Sequence, residues 1–344
     1  MTRLLLFPAS IAAFERITHT FAFHDPCVVG MWTLRNRVAS FLSSNPDASH
    51  DDINQTFVQG SGIRSADLKT ACVQATWESQ QAEFAGLLLV TLVAQYESFV
   101  NSLCSELGIT DRDVKKQLLY ATSSKYGAPY GIRPAIASLT ASRSDMLQAA
   151  FYPLLVKHKK NSLATLDALM LCYRYFKECR NCYIHNGRYG TKALQRAYSA
   201  FQGVADPSLL GVNETPQHFP VSVNEPVQLT LRGVAGFGDV LFRLVATLDA
   251  ELSKAKAAEM VFVARWQQAV SQHVRQSHKQ STRTTQLRKV MRAMRMPDPN
   301  EEVLLESFLV SRGLLAPAPA SEGNDSGSSE TATPSPHPTP PSGS

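Results

Sequence analysis

The stretch AEFAGLLLVTLVAQYESFVNSLCSEL, residues 82–107, decides the fold class. Within it Phe84, Leu87, Leu88, Thr91, Leu92, Gln95, Phe99 and Leu103 recur at intervals of three and four, the repeat of a helix with one buried face. Gly108 supplies the stop. The apolar run holds for only about a dozen residues before Glu97 and Asn101, short of the ~20 that a bilayer core requires. The pattern predicts a core helix of an all-α protein and no membrane span.

Outward from this helix, residues 162–184 repeat the signal. Leu163, Leu166, Leu169, Met170, Tyr173 and Phe176 make one apolar face, and Asn186-Gly187 terminates it because both residues tolerate a left-handed backbone. A last core helix reads FGDVLFRLVATLDAEL, residues 237–252. A short helix over 109–120 is expected with Thr110 as N-cap, ahead of Asp111 and Asp113, whose charges suit the amino end of the dipole. Residues 123–141, with Gly127, Pro129, Gly131 and Pro134, read as an irregular connection, while FPVSV and PVQLTL, within 219–231, read as a small β-hairpin. Upstream, WTLRNRVASFL (32–42) predicts a helix followed by polar loop from 43 to 65. The expected organisation is an N-terminal segment of unclear role (1–70), a helical bundle with a hairpin insertion (71–255), a basic helical extension (256–315) and a disordered Pro/Ser/Thr-rich tail (316–344).

The chain carries a formal net charge of +5, and the region after Ala316 contains acids but no Lys or Arg, so the basic excess on the remainder is larger still. Residues 264–296 hold Arg265, Arg275, Lys279, Arg283, Arg288, Lys289, Arg292 and Arg295 and no acid. That favours a polyanion, either a nucleic-acid backbone or an acidic protein partner, and charge alone does not choose between them. The cluster Lys157, His158, Lys159 and Lys160 reads as a solvated face that would also accept a phosphate backbone. Six cysteines are few for 344 residues and fit a reduced, cytoplasmic setting. The opening MTRLLLFPASIAAF has the charge but not the shape of a secretory leader, because its apolar run is short and broken by Pro8.

The chemistry concentrates in ECRNCYIHNGRYG, residues 178–190. As a metal site it is poor: on one helix His185 lies about 120° around the axis from Cys179, so Cys179, Cys182 and His185 fan apart. As a polar helix end it is ordinary, with thiols packed as hydrophobes and a histidine complementing the dipole. As a phosphodiester site it has the needed parts. Asn181 and His185 are four apart and share a face; an imidazole exchanges protons near neutrality, and the neighbouring Arg180 guanidinium grips two phosphate oxygens. RNA suits such a pair because its 2′-hydroxyl supplies the nucleophile.

RNCYIH, residues 180–185, resembles the R-x4–6-H motif of HEPN domains in its R-N-x-x-x-H form. LLLVTLVAQYESFVNSLCSEL (87–107) is similar to the long first helix of bacterial members, with an acid placed as Glu97 is here, and the stretch from Glu225 to Leu252 resembles their closing segment. The resemblance spans about 180 residues and implies a HEPN-like helical bundle. It also implies a metal-independent endoribonuclease of toxin-antitoxin or defence systems, built as a homodimer with the site where two motifs meet, and requiring no cofactor. Arg180 would contact the scissile phosphate, His185 would act in general acid-base cleavage, Asn181 would orient them, and Glu97 would buttress Arg180. From the sequence alone Glu97 reads equally as a solvent-edge acid. Silent members that bind RNA or dimerise carry the same motif, and Cys182 and Tyr183 depart from the usual motif interior.

Overall fold

The computed structural model describes residues 4–273 and 280–316. The expected disordered tail from 317 onward, and Arg275, His278 and Lys279 of the basic segment, lie outside the described residues. Most of the described chain is helical. In order it forms α1 (Pro8–Ser44), α2 (His50–Phe57), a π-helical turn (Thr70–Gln74), α3 (Trp77–Glu106), α4 (Arg112–Gln117), β1 (Ser123–Lys125), β2 (Ala128–Tyr130), α5 (Ile132–Leu139), α6 (Asp145–Ala150) and α7 (Tyr152–Leu155). A 3₁₀ turn (Leu163–Thr165) then leads into α8 (Leu166–His185), α9 (Lys192–Gln202), α10 (Pro207–Leu210), α11 (Leu231–Leu252), α12 (Ala258–His273), α13 (Gln280–Ala293) and α14 (Glu302–Ser311).

Three helices make the frame. α3 buries Leu88, Leu89, Leu92, Val93, Tyr96, Phe99 and Leu103, and Thr76 caps its start by accepting from the Ser79 amide. α8 buries Leu166, Leu169, Met170, Tyr173 and Phe176, and α11 buries most of its length from Val234 to Leu252, capped by Thr230. Phe176 and Tyr173 of α8 lie against Phe237 of α11, with ring centroids 4.7 and 6.3 Å apart. Among the described residues α3 is the one helix long and apolar enough to cross a membrane by length and composition, more than the sequence reading allowed, because the helix extends well past the apolar run; half of its most apolar window is buried in the bundle.

The N-terminal segment joins this core. α1 runs through Trp32 to Leu42 but starts at Pro8, a residue suited to the first helical position because it has no amide hydrogen to leave unpaired. Ala13, Phe14 and Ile17 pack in the main core; Val38 in the last third packs with Ile53, Val58, Leu68 and Cys72 in a separate small cluster. Ahead of α1, the amides of Leu6 and Phe7 donate to the buried carboxylate of Asp249 on α11 at 2.8 and 2.9 Å. Arg265 of α12 donates to the carbonyls of Leu5, Leu6 and Met294. The core therefore does not break at residue 70 or at 255: Phe262, Trp266, Val290, Leu305 and Leu309 belong to the same cluster as Leu6 and Phe237.

Three local expectations are corrected. The β-hairpin is not in 219–231, which pairs only through the isolated bridge of Tyr189 with Pro226; it lies in 123–130, read from sequence as irregular. There Tyr126 and Gly127, at φ +54° and +81°, form a two-residue turn of the kind that matches strand twist, and Pro129 sits in a short strand that leaves its missing amide hydrogen harmless. Asp111, not Thr110, caps α4, since its carboxylate reaches the Asp113 amide at 2.7 Å. His158 is buried, with its ring 5.5 Å from Phe14, and Lys160 pairs with Asp239, so only Lys157 and Lys159 of that cluster face solvent.

Candidate functional site

α8 has two chemical faces. Cys172, Tyr175, Phe176, Cys179 and Cys182 point into the core, where burial pushes the three thiols up, so they pack as hydrophobes. Cys179 and Cys182 are thus buried, whereas His185 is exposed on the last turn. Among the described residues no group of three or more His, Cys, Asp or Glu side chains gathers to hold a metal ion.

The other face carries Arg174, Glu178, Asn181 and His185, spaced by four, three and four, which places them on one stripe roughly 16 Å long. Polar contacts run along it. Arg174 pairs with the buried Glu178; Asn181 Nδ2 donates to Glu178 Oε2 at 3.2 Å; Arg180 donates to Asn181 Oδ1 at 3.1 Å and, across to α3, to Glu97 Oε2 at 2.8 Å. The other oxygen of Glu97 meets Lys177 Nζ at 2.6 Å. Arg180, Asn181 and Glu97 are therefore brought together. Glu97 is a true inter-helix partner and not a solvent-edge acid; the pairing spans 83 residues of sequence. The Arg180 side chain is 16% exposed, and its remaining N–H groups find no acceptor among the described residues.

His185 is not part of this contact set. It shares the stripe with Asn181, but among the described residues its ring makes no hydrogen bond or ion pair. Relative to Arg180 it is displaced about 140° around α8 and about 7.5 Å along it. Just beyond, α8 ends where expected but one residue out of register: the left-handed pair is Gly187 and Arg188, Asn186 staying at φ −120°, and the amides of Asn186 and Arg188 both donate to the Cys182 carbonyl, at 3.1 and 3.0 Å.

A second tie fixes the register of α8 on α3. Tyr183 lies against Gly86, where an added Cβ would come within 2.3 Å of the ring, and its hydroxyl donates to Glu83 at 2.8 Å. Arg188 grips the same carboxylate with both terminal nitrogens and covers the Tyr183 ring at 4.4 Å; this pairing holds Glu83 below the usual carboxylate range. Arg188 and Tyr183 are thus both engaged with Glu83, while Tyr189 is half exposed. In the basic segment Arg265 is buried in structural work, and Arg288 and Arg295 pair with Glu302 and Glu15; Lys289 and Arg292 are exposed.

Sequence reasoning missed Lys177, which no spacing marks, and also Arg174 and Glu178, although the i, i+4, i+7, i+11 spacing of the stripe is visible in CYRYFKECRNCYIH. Comparison with family models, curated proteins and solved structures finds no match to this chain.

Proposed function

We propose that the chain is a metal-independent endoribonuclease of the HEPN type, acting as a homodimer in a toxin-antitoxin or other defence setting. The observation that carries this reading is the Arg180 guanidinium clasped by Glu97 and Asn181 with donors to spare, on the helix whose last turn presents an exposed His185. The clasp fixes the fork, so little side-chain entropy is lost when a phosphate binds. Arg180 and His185 of one copy point to different sides of α8, and a twofold arrangement supplies the convergence that a single helix does not. Leu87 and Ile184, 60% and 46% exposed beside the motif, are the apolar surface such a seam would cover.

In that arrangement one imidazole takes the 2′-hydroxyl proton as its oxygen bonds to phosphorus. The bond to the 5′-oxygen breaks, and the second copy's imidazole protonates the leaving oxygen. The products are a 2′,3′-cyclic phosphate and a 5′-hydroxyl. Purified protein is expected to cleave single-stranded RNA in excess EDTA, with His185→Ala abolishing cleavage and leaving the dimer intact. Wild-type cleavage by that variant would remove the mechanism.

A second reading, a silent RNA-binding or dimerisation module, is favoured by the low exposure of Arg180 and its engagement with Glu97. It expects RNA binding without cleavage by either protein.

A further inference from the structure

The hairpin β1–β2 presents a feature that the motif does not use. Tyr126 at its tip is 97% exposed and sits at φ +54°, a left-handed backbone that asparagine or glycine would adopt more readily than a tyrosine. Lys125 stands over two rings, 4.8 Å from Tyr130 and 5.8 Å from Tyr126. Tyr120 lies edge-on to Tyr130 at 6.0 Å, and Arg174 covers Tyr120 at 5.0 Å. Arg174 is also the first residue of the α8 stripe. Aromatic rings and cations therefore continue from the hairpin tip into the line of Arg174, Glu178, Asn181 and His185.

The base of this hairpin is rigid. The Thr122 amide donates to Asp167 at 3.0 Å, Arg133 pairs with the same carboxylate and also donates to the Leu163 carbonyl at 2.9 Å, and the Ile132 amide closes on the Tyr120 carbonyl at 2.9 Å. A solvated tyrosine held on a fixed base loses little entropy on stacking, and water gains nothing from keeping the ring exposed.

We propose that Tyr126, with Tyr130 and Lys125, is a stacking platform for unpaired nucleobases of a single RNA strand whose backbone follows the α8 stripe toward His185. This deepens the function proposed above and rests on its choice of RNA as partner, though not on cleavage. Single-stranded nucleic acid is the class that the chemistry selects: every base has a π-face, stacking on an aromatic ring is sequence-tolerant, and the interleaved cations neutralise the phosphates between bases. A duplex keeps its bases stacked on one another and leaves Tyr126 nothing to receive.

The test uses the full chain carrying His185→Ala, so that bound RNA stays intact, with fluorescent oligoadenylate as probe and the same strand paired to oligouridylate as control. Adding Tyr126→Ala is expected to weaken single-strand binding about tenfold, the loss of one base–aromatic stack, with the duplex nearly unaffected and the melting temperature unchanged. Tyr126→Trp restores the affinity. Lys125→Gln lowers the salt dependence of log affinity by about 0.7, one phosphate contact on a single strand. Equal affinity for Tyr126→Ala, an equal loss on duplex, or no RNA binding at all overturns the platform. If the wild type fails to cleave in EDTA while Tyr126→Ala shows the single-strand loss, the platform stands and the catalytic mechanism falls. Cleavage and binding that are both indifferent to Tyr126 sink the platform alone.

Discussion

Replacing Glu97 by Gln tests whether the clasp on Arg180 is structural, functional or both. The carboxylate binds two cations, Lys177 at 2.6 Å and Arg180 at 2.8 Å, all three side chains being mostly buried. An exposed ion pair contributes about 0–1 kcal/mol and breaking a buried one costs about 3–5. This pair lies between those limits. Glutamine keeps one acceptor oxygen for one cation and turns an amide toward the other, so the expected loss of stability is about 2 kcal/mol. Urea unfolding of the purified chain measures it, and a double-mutant cycle with Arg180→Gln isolates the Glu97–Arg180 coupling, expected near 1 kcal/mol. On the proposed reading the same variant frees the fork, so kcat for RNA falls at least tenfold with a smaller change in KM, because the lost interaction is one of orientation in the transition state. A stability loss under about 0.5 kcal/mol together with unchanged cleavage would refute both roles at once.

Two other outcomes follow from the packing. Gly86→Ala drives a Cβ into the Tyr183 ring and is expected to cost about 1–3 kcal/mol in thermal or urea unfolding, with recovery when Tyr183→Leu vacates the space; no cost would mean that α8 does not sit on α3 in this register. Burial pushes Asp249 up to about 6 and Glu106 up to about 7, so the folded chain holds these protons more tightly than the unfolded one. Their contribution to stability is full below about pH 4 and is lost as pH rises through 6 to 7. The difference in unfolding free energy between wild type and Asp249→Asn, followed across that window, should therefore shift against the wild type as pH rises, and the opposite trend would count against a buried, proton-retaining Asp249.

What was legible in the sequence was periodic. The stripe through Leu88, Leu92, Phe99 and Leu103 and the face through Leu166, Met170 and Tyr173 are local repeats, and α3 and α8 follow from them. The position of the stop after His185 is likewise local, although the left-handed turn falls on Gly187 and Arg188 and not on Asn186. Long-range pairings are not written locally. Asp249 receives amides 242 and 243 residues away, and nothing in VATLDAEL announces that the aspartate will hold the N-terminus. Arg265 reads in the sequence as one of a basic series, yet its burial is set by two distant segments whose carbonyls it meets, Leu5-Leu6 and Met294. The hairpin was misplaced because alternation in FPVSV looks like a strand, whereas Tyr126-Gly127 lacks the Asn-Gly signature of its turn. The meeting of Glu97 with Arg180 came from a resemblance, since spacing within either helix says nothing about which faces the other.

The charge count on the polar face sets what one copy can hold. Arg174, Lys177 and Arg180 are offset by Glu97 and Glu178, while Arg188 is neutralised by Glu83, so this set of α8 and α3 side chains carries one net positive charge per protomer. That matches the single negative charge of a ground-state phosphodiester link. Attack of the 2′-oxygen creates a second negative charge on the phosphoryl oxygens, and this set of paired side chains in one copy leaves no second net charge to meet it. A second copy brings another net charge and another imidazole in one step, which is why the proposed chemistry calls for two chains on charge grounds as well as on the angle between Arg180 and His185. The same count makes both Glu97 and Glu178 compatible with the proposed binding of an anion. Without them, three cations crowded onto two turns of α8 would repel one another, and Arg180 would lose the orientation that gives its charge a direction.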